Sequence, residues 1–178
     1  MSTATTEKLN TSRILEPVIA EYLVEVETTR RILTRVPADK LAWQPHDKSM
    51  TLGQLAFHIA TIPDGVSALA QRDGFDASQA RFLPPQPKDL NEVLSSFEAA
   101  VIEGEKRLRS MTDEAAMAPW TMTAGDREVF TMPRAGIVRT IMLNHWYHHR
   151  GQLSVYLRML DVPVPSVYGP SADENPFA

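Results

Sequence analysis

No cysteine occurs among the 178 residues. That absence excludes a disulfide framework, a zinc–thiolate site and a cysteine nucleophile, so any thiol chemistry must use a thiol from outside the chain. Long apolar runs are missing as well. No stretch reaches the roughly 18 apolar residues of a membrane span, and the N-terminal MSTATTEKLNTSR is polar, without the apolar segment of a secretory signal. A soluble, cytoplasmic protein is expected. Positive charge is also short: 18 Lys and Arg against 22 Asp and Glu give a formal net charge of −4, with a pI near 5.7. Without a basic run, neither nucleic acid nor an anionic membrane is an expected partner, which leaves a small-molecule substrate. There is no internal repeat and no low-complexity tract. A chain of this length can bury a substantial core as one domain, 1–178, without a metal as a staple. A metal would therefore serve function.

What is present is helical periodicity. Ile14, Leu15, Val18, Ile19, Tyr22, Val26 and Leu33 recur at helical spacing and place a first helix over about 15–36, with Pro17 tolerated in its first turn and Pro37 closing it. Residues 38–50, with Trp43, Pro45 and His46, form an ordered loop. Thr51, with Gln54 three residues on, has the form of a capping box opening a second helix over about 51–70, kinked at Pro63. Residues 71–88 hold Gly74, Pro84, Pro85 and Pro87 and read as a long connection. About 17 extended residues reach more than 50 Å, enough to cross a bundle, so helices 2 and 3 can run parallel. A third helix covers about 89–110 and a fourth about 135–160. Between them, Gly125 and Asp126 suit a turn, and a short hairpin can form there. The proline-rich 161–178 is an extended tail. The fold class is all-α: a four-helix bundle, up-down-down-up, with a long crossover between helices 2 and 3.

The chemistry concentrates in NHWYHHRGQ, residues 144–152, which carries three of the five histidines. On a helix His145 and His149 share a face, about 6 Å apart at Cβ, and form the chelating half of a metal site. A structural ion would need two more protein ligands; a catalytic one needs a third and an open position. His58 is the best distant candidate, because Leu55 and Ile62 put it on the buried stripe of helix 2. His148 lies i+3 from His145, and spacing alone leaves 145/148 open beside 145/149. His46 suits capping or packing better than ligation. Gly151 in mid-helix suggests a close backbone neighbour. Arg150 calls for a carboxylate, with Glu21 and Glu25 as candidates on an otherwise solvated face. Trp43, Trp120, Trp146 and Tyr147 are expected mainly in the core, with a ligand pocket as the alternative.

Three separated motifs, TLGQLAFHIA, NHWYHHRGQLSVYLR and PVPSVYGPSAD, preceded by WQPHDKSMTLGQL, resemble the DinB-like (DinB/YfiT) superfamily of metal-dependent proteins. The likeness runs from about Ile14 to Glu174. It implies the up-down-down-up bundle, a homodimer, and one divalent ion, zinc or nickel, held by His58, His145 and His149. Only this resemblance chooses 145/149 over 145/148. The superfamily includes S-transferases using bacillithiol or mycothiol and mycothiol-dependent maleylpyruvate isomerases. The implied function is thus a metal-dependent transferase with a low-molecular-weight thiol as cosubstrate. A non-catalytic metal-binding or stress-response protein and a metal-dependent hydrolase are the alternatives.

Overall fold

The protein is described by a computed structural model covering residues 12–178; most of the polar N-terminal stretch lies outside the described residues. Helix α1 spans Glu16–Leu33, α2 Leu52–Ala70 and α3 Leu90–Ser110. A short α4, Asp113–Met117, leads into strands β2, Pro119–Ala124, and β3, Arg127–Pro133. Strand β1, Gly74–Asp76, lies in the connection after α2. The final helical run is α5, Arg134–Ile137, a π-helical segment, Val138–Asn144, and α6, His145–Met159. No helix among the described residues is long and apolar enough to cross a membrane.

Local chemistry sets the helix starts. Pro17 sits in the first turn of α1, where its missing N–H costs nothing. The Thr51 hydroxyl accepts the Gln54 N–H at 3.1 Å while the Gln54 side chain accepts the Thr51 N–H at 3.0 Å, completing the expected capping box. At α3 the Asp89 carboxylate accepts the Glu92 N–H at 2.8 Å.

Side-chain pairs give the relative direction of each helix. On α1 and α3, the Tyr22 hydroxyl donates to the Val101 carbonyl and Arg30 pairs with Glu98, so numbers rise on one as they fall on the other. Glu21 meets Tyr147 and Glu25 meets Arg150, which makes α1 and α6 parallel. Trp146 donates to the Ile59 carbonyl and Tyr156 to that of Met50, which makes α2 and α6 antiparallel. Thr51 bonds Gln86 just ahead of α3, and Gln71 bonds Arg107 near its end, so α2 and α3 are parallel. Their close approach depends on Gly104, where a Cβ would meet the Tyr22 hydroxyl at 2.9 Å and the Pro63 carbonyl at 3.2 Å.

The core lies between these helices, with Tyr22, Leu55, Ile59, Phe97 and Trp146 among its buried members. Tyr22 and Trp146 stack with ring centroids 5.8 Å apart. Glu25 is also buried, contrary to the solvated face expected for it. The 2.5 Å ion pair to buried Arg150 explains this.

The all-α expectation misses a three-stranded sheet in the order β1-β2-β3. Strands β2 and β3 form the hairpin, closed at Gly125, whose φ of +61° is left-handed. Strand β1 pairs parallel to β2, from Gly74–Thr121 to Asp76–Thr123. The long connection therefore adds an edge to the hairpin on its way across. Asp76 anchors this arrangement by accepting the Gly125 N–H at 3.0 Å and the Ser78 N–H at 2.9 Å. The tail follows an irregular path over the body. It is pinned by Glu174 to Arg31 and by Asp173 to Arg158.

Candidate metal centre

His58 stands on the second turn of α2, and His145 and His149 on the first two turns of α6. Two hydrogen bonds from α6 side chains to α2 backbone and its preceding residue hold the helices together: Trp146 Nε1 donates to Ile59 O at 2.9 Å, and the Tyr156 hydroxyl donates to Met50 O at 3.2 Å. The first of these comes from the residue next to His145 and goes to the residue next to His58. It brings the two histidine faces into register.

The result is a cluster of three imidazoles. His58 Nε2 and His145 Nε2 are 3.0 Å apart, and the ring centroids of His58–His149 and His145–His149 are separated by 4.6 and 4.4 Å. One nitrogen from each ring lies within 4.8 Å of the other two. Two nitrogens sharing a tetrahedral zinc ion would be about 3.3 Å apart, given metal–nitrogen bonds of about 2.0–2.1 Å. The spacing and the all-imidazole donor set fit a divalent ion of borderline softness.

The electrostatics point the same way. Burial first, and the charges of His149 and His145 second, lower the His58 pKa to about 4. His149 is lowered to about 4, again chiefly by burial. His145 is lowered by burial and by His148. All three are therefore neutral at pH 7, the ligating form, with no proton to displace. His149 has a tautomer selector as well. Its Nδ1 lies 2.8 Å from Gln152 Oε1, which can only accept, so Nδ1 carries the proton and Nε2 offers its lone pair.

His148 is exposed on another face and does not join the cluster. His46 is also exposed; its Nδ1 accepts the Lys48 N–H at 3.1 Å, so it caps its own turn. The close backbone neighbour expected at Gly151 is absent: a Cβ there would meet nothing within 4 Å. The tight glycine is Gly104 instead, on a different pair of helices.

His58 also lines a cavity of about 470 Å³. Its walls are Ile62, Val66 and Leu69 from α2, Phe75 from β1, Trp120 and Met122 from β2, and Ile137 and Ile141 from the final helical run. A second hollow, of about 580 Å³, opens from His58 and Thr61 toward Arg81, Phe82 and Leu83. Of the three imidazoles, His58 is thus the one that borders both hollows. Sequence periodicity missed the walls contributed by β1 and by Phe82. The apolar pair Phe82-Leu83 inside a polar, proline-rich connection was the one available signal.

The family model described as the DinB family matches residues 1–176. The chain belongs to the DinB family. It is 23% identical over 161 residues to YrdA of Bacillus subtilis, an uncharacterized protein, covering 90% of this chain and 91% of that one. Among solved structures, a DinB-like protein from Bacillus cereus is 24% identical, with a TM-score of 0.64 over 86% of this chain and 97% of its own. A DinB-like protein from Bacillus subtilis is 16% identical, with a TM-score of 0.64 over 89% and 99%. At these identities the likeness is one of fold. In this DinB-family chain, the motif histidines are those that the structure gathers into the cluster, while His148 stays outside.

Proposed function

We propose that this protein is a divalent-metal-dependent transferase that joins a low-molecular-weight thiol to an electrophile, with His58, His145 and His149 holding one zinc or nickel ion. The observation that carries this is the convergence of three imidazoles, one of which, His58, lines a large apolar cavity. A structural ion has no need of such an opening. The proposed scaffold is an up-down-down-up four-helix bundle of α1, α2, α3 and the final helical run, supported by the four pairwise helix directions. The expected homodimer belongs to the same proposal. Val24 and Ile102, 65% and 63% exposed on α1 and α3, are apolar surface that a second copy would cover.

The chain's own groups have defined tasks. The three imidazoles stay unprotonated at neutral pH because burial opposes their charge. Gln152 holds His149 in one tautomer. Ile62, Val66, Trp120 and Ile141 keep water from the body of the electrophile. A divalent ion there supplies Lewis acidity, which favours the thiolate over the thiol. In the transfer, a sulfur lone pair forms the new C–S bond as the electrophile's leaving group departs with its bonding pair, or, in an addition, as the π pair moves to the adjacent atom and is protonated there; the thiol proton is released as the new bond forms, and nothing is oxidised. The cysteine-free sequence is consistent with an external nucleophile.

The test pairs metal analysis with turnover. The purified protein is expected to carry stoichiometric metal, which His58→Ala, His145→Ala and His149→Ala each lose. Electrophiles screened against several biological thiols should react only with both thiol and metal present. Retained metal in all three variants would sink the ligand assignment. Metal-dependent turnover without thiol would replace the transferase with a hydrolase.

A further inference from the structure

The two hollows beside the histidine cluster share His58, Thr61, Arg81 and Phe82. Their chemistry differs sharply from one end to the other. The inner chamber is aliphatic and aromatic, in the size range that buries most of a drug-sized molecule (about 300–1,000 Å³). At the rim stands Arg81, the one charged side chain lining either hollow among the described residues. Arg81 makes no ion pair with the described residues, whereas most of the other arginines have a carboxylate partner, including Arg30, Arg31, Arg107, Arg109, Arg134, Arg139, Arg150 and Arg158.

The stretches on either side of Arg81 are tied down. Gln54 Nε2 donates to the Pro84 carbonyl at 3.2 Å, and Gln86 is tied to both Thr51 and the Leu41 carbonyl. On the other side, the Asp76 carboxylate fixes the turn at Ser78. The segment that carries Arg81 is therefore fastened to α2 and to the sheet at both ends. Between the fastenings Phe82 is 72% exposed, an unusual position for a phenyl ring unless something covers it.

We infer that the site takes an amphiphilic small molecule with an apolar body and a single carboxylate or other oxyanion, the body lying in the inner chamber against Trp120 and Ile141 and the anion meeting Arg81. A guanidinium suits this role because it stays charged and presents a planar fork that matches an oxyanion. This deepens the transferase proposal by naming the class of its electrophile, and it rests on that proposal only for the identification of the ligand as a substrate.

The experiment measures binding with two fluorophores that differ in one group: 8-anilinonaphthalene-1-sulfonate, and N-phenyl-1-naphthylamine, which lacks the sulfonate. Each is titrated into the full-length protein with and without EDTA. Arg81→Gln should weaken the sulfonate probe about five- to tenfold and flatten its salt dependence. It should leave the uncharged probe unchanged, and Arg81→Lys should restore most of the loss. Gly65 lines the inner chamber and has open space at its Cβ, so Gly65→Phe intrudes on the chamber without a backbone clash and should weaken both probes. Circular dichroism confirms that each variant is folded. Equal sulfonate affinity and salt slope in Arg81→Gln would overturn the inference. So would loss of sulfonate binding in EDTA alone, which would put the anion at the metal, or indifference of both probes to Gly65→Phe. A protein with no turnover that still prefers the sulfonate through Arg81 would refute the transferase and leave this binding site standing.

Discussion

Replacing Arg150 by Met tests how α6 is anchored. Arg150 and Glu25 are 1% and 7% exposed and meet at 2.5 Å. The guanidinium also donates to the Thr29 hydroxyl at 3.0 Å and lies over the Tyr147 and Tyr168 rings, 5.3 and 5.1 Å from their centroids. Methionine is apolar and fills part of the space, so the principal loss is the partner of a buried carboxylate. One-sided removal of a buried pair costs about 3–5 kcal/mol. The Tyr168 hydroxyl still donates to Glu25 at 2.9 Å, which favours the lower half of that range. For a chain of this size a loss of about 3–4 kcal/mol corresponds to a fall in Tm of about 6–16 °C.

Urea denaturation of Arg150→Met, Glu25→Leu and the double variant completes a cycle. Because the double variant leaves no orphaned charge, it should be more stable than the sum of the single losses by about 2 kcal/mol or more. Metal content well below Tm should remain that of the parent, since the bonds that seat α6 on α2, Trp146 to Ile59 and Tyr156 to Met50, do not involve Arg150. A loss under about 1 kcal/mol in Arg150→Met, or strict additivity in the cycle, would refute the buried-pair account. Loss of metal from a folded Arg150→Met protein would show that Arg150 orients His149 directly.

Two further outcomes concern the cluster itself. In the metal-free protein, His58 and His149 titrate near 4 when folded against 6.5 for the ordinary imidazole, so the unfolded chain binds more protons between these values. The stability they contribute is fully present above about pH 6.5 and is lost as the pH falls toward 4. After allowance for solvent screening of half-buried groups, this should amount to about 2–4 kcal/mol in total. Urea midpoints from pH 7 to 4.5 should fall more steeply in the parent than in a variant with both residues replaced by Asn, and parallel slopes would refute this. Gln152→Leu, which removes the acceptor for His149 Nδ1, should weaken metal binding about 10–100-fold in a competition titration with a chromophoric chelator, while an unchanged affinity would mean that Gln152 does not select the tautomer.

Long-period features were legible in the sequence because their causes are local. Pro17, the Thr51–Gln54 pair and the apolar stripe around His58 each act within a turn or two, and the structure places them as their spacing implies. The sheet was harder to see. Strand β1 is only three residues, and it pairs with β2 some 47 positions later at Gly74–Thr121. No pattern within β1 specifies such a partner. Glu25 misled for a related reason. Its helical position reads as solvated until Arg150, 125 residues away, arrives with a charge that must itself be buried. The expected packing role of Gly151 failed because a helix tolerates an exposed glycine at modest cost, and a close neighbour is only one of the reasons to find one there.

The π-helical segment Val138–Asn144 accounts for a coincidence that the spacing of the histidines leaves unexplained. Hydrogen bonding from i to i+5 uses an extra residue per turn, and each extra residue rotates the downstream helix by about 100° relative to an uninterrupted α-helix. Upstream of and within this segment, Ile137 and Ile141 face the inner chamber; immediately after it, His145 and His149 face His58. A single helical run thus supplies part of the apolar wall of the chamber and two nitrogens of the cluster, with His58 common to both. The irregular turns include Ile141 of the chamber wall and end at the residue before His145. Restoring α-helical phase by deleting one residue from 138–144 would turn the wall away from the cluster, even though every histidine remained in the sequence.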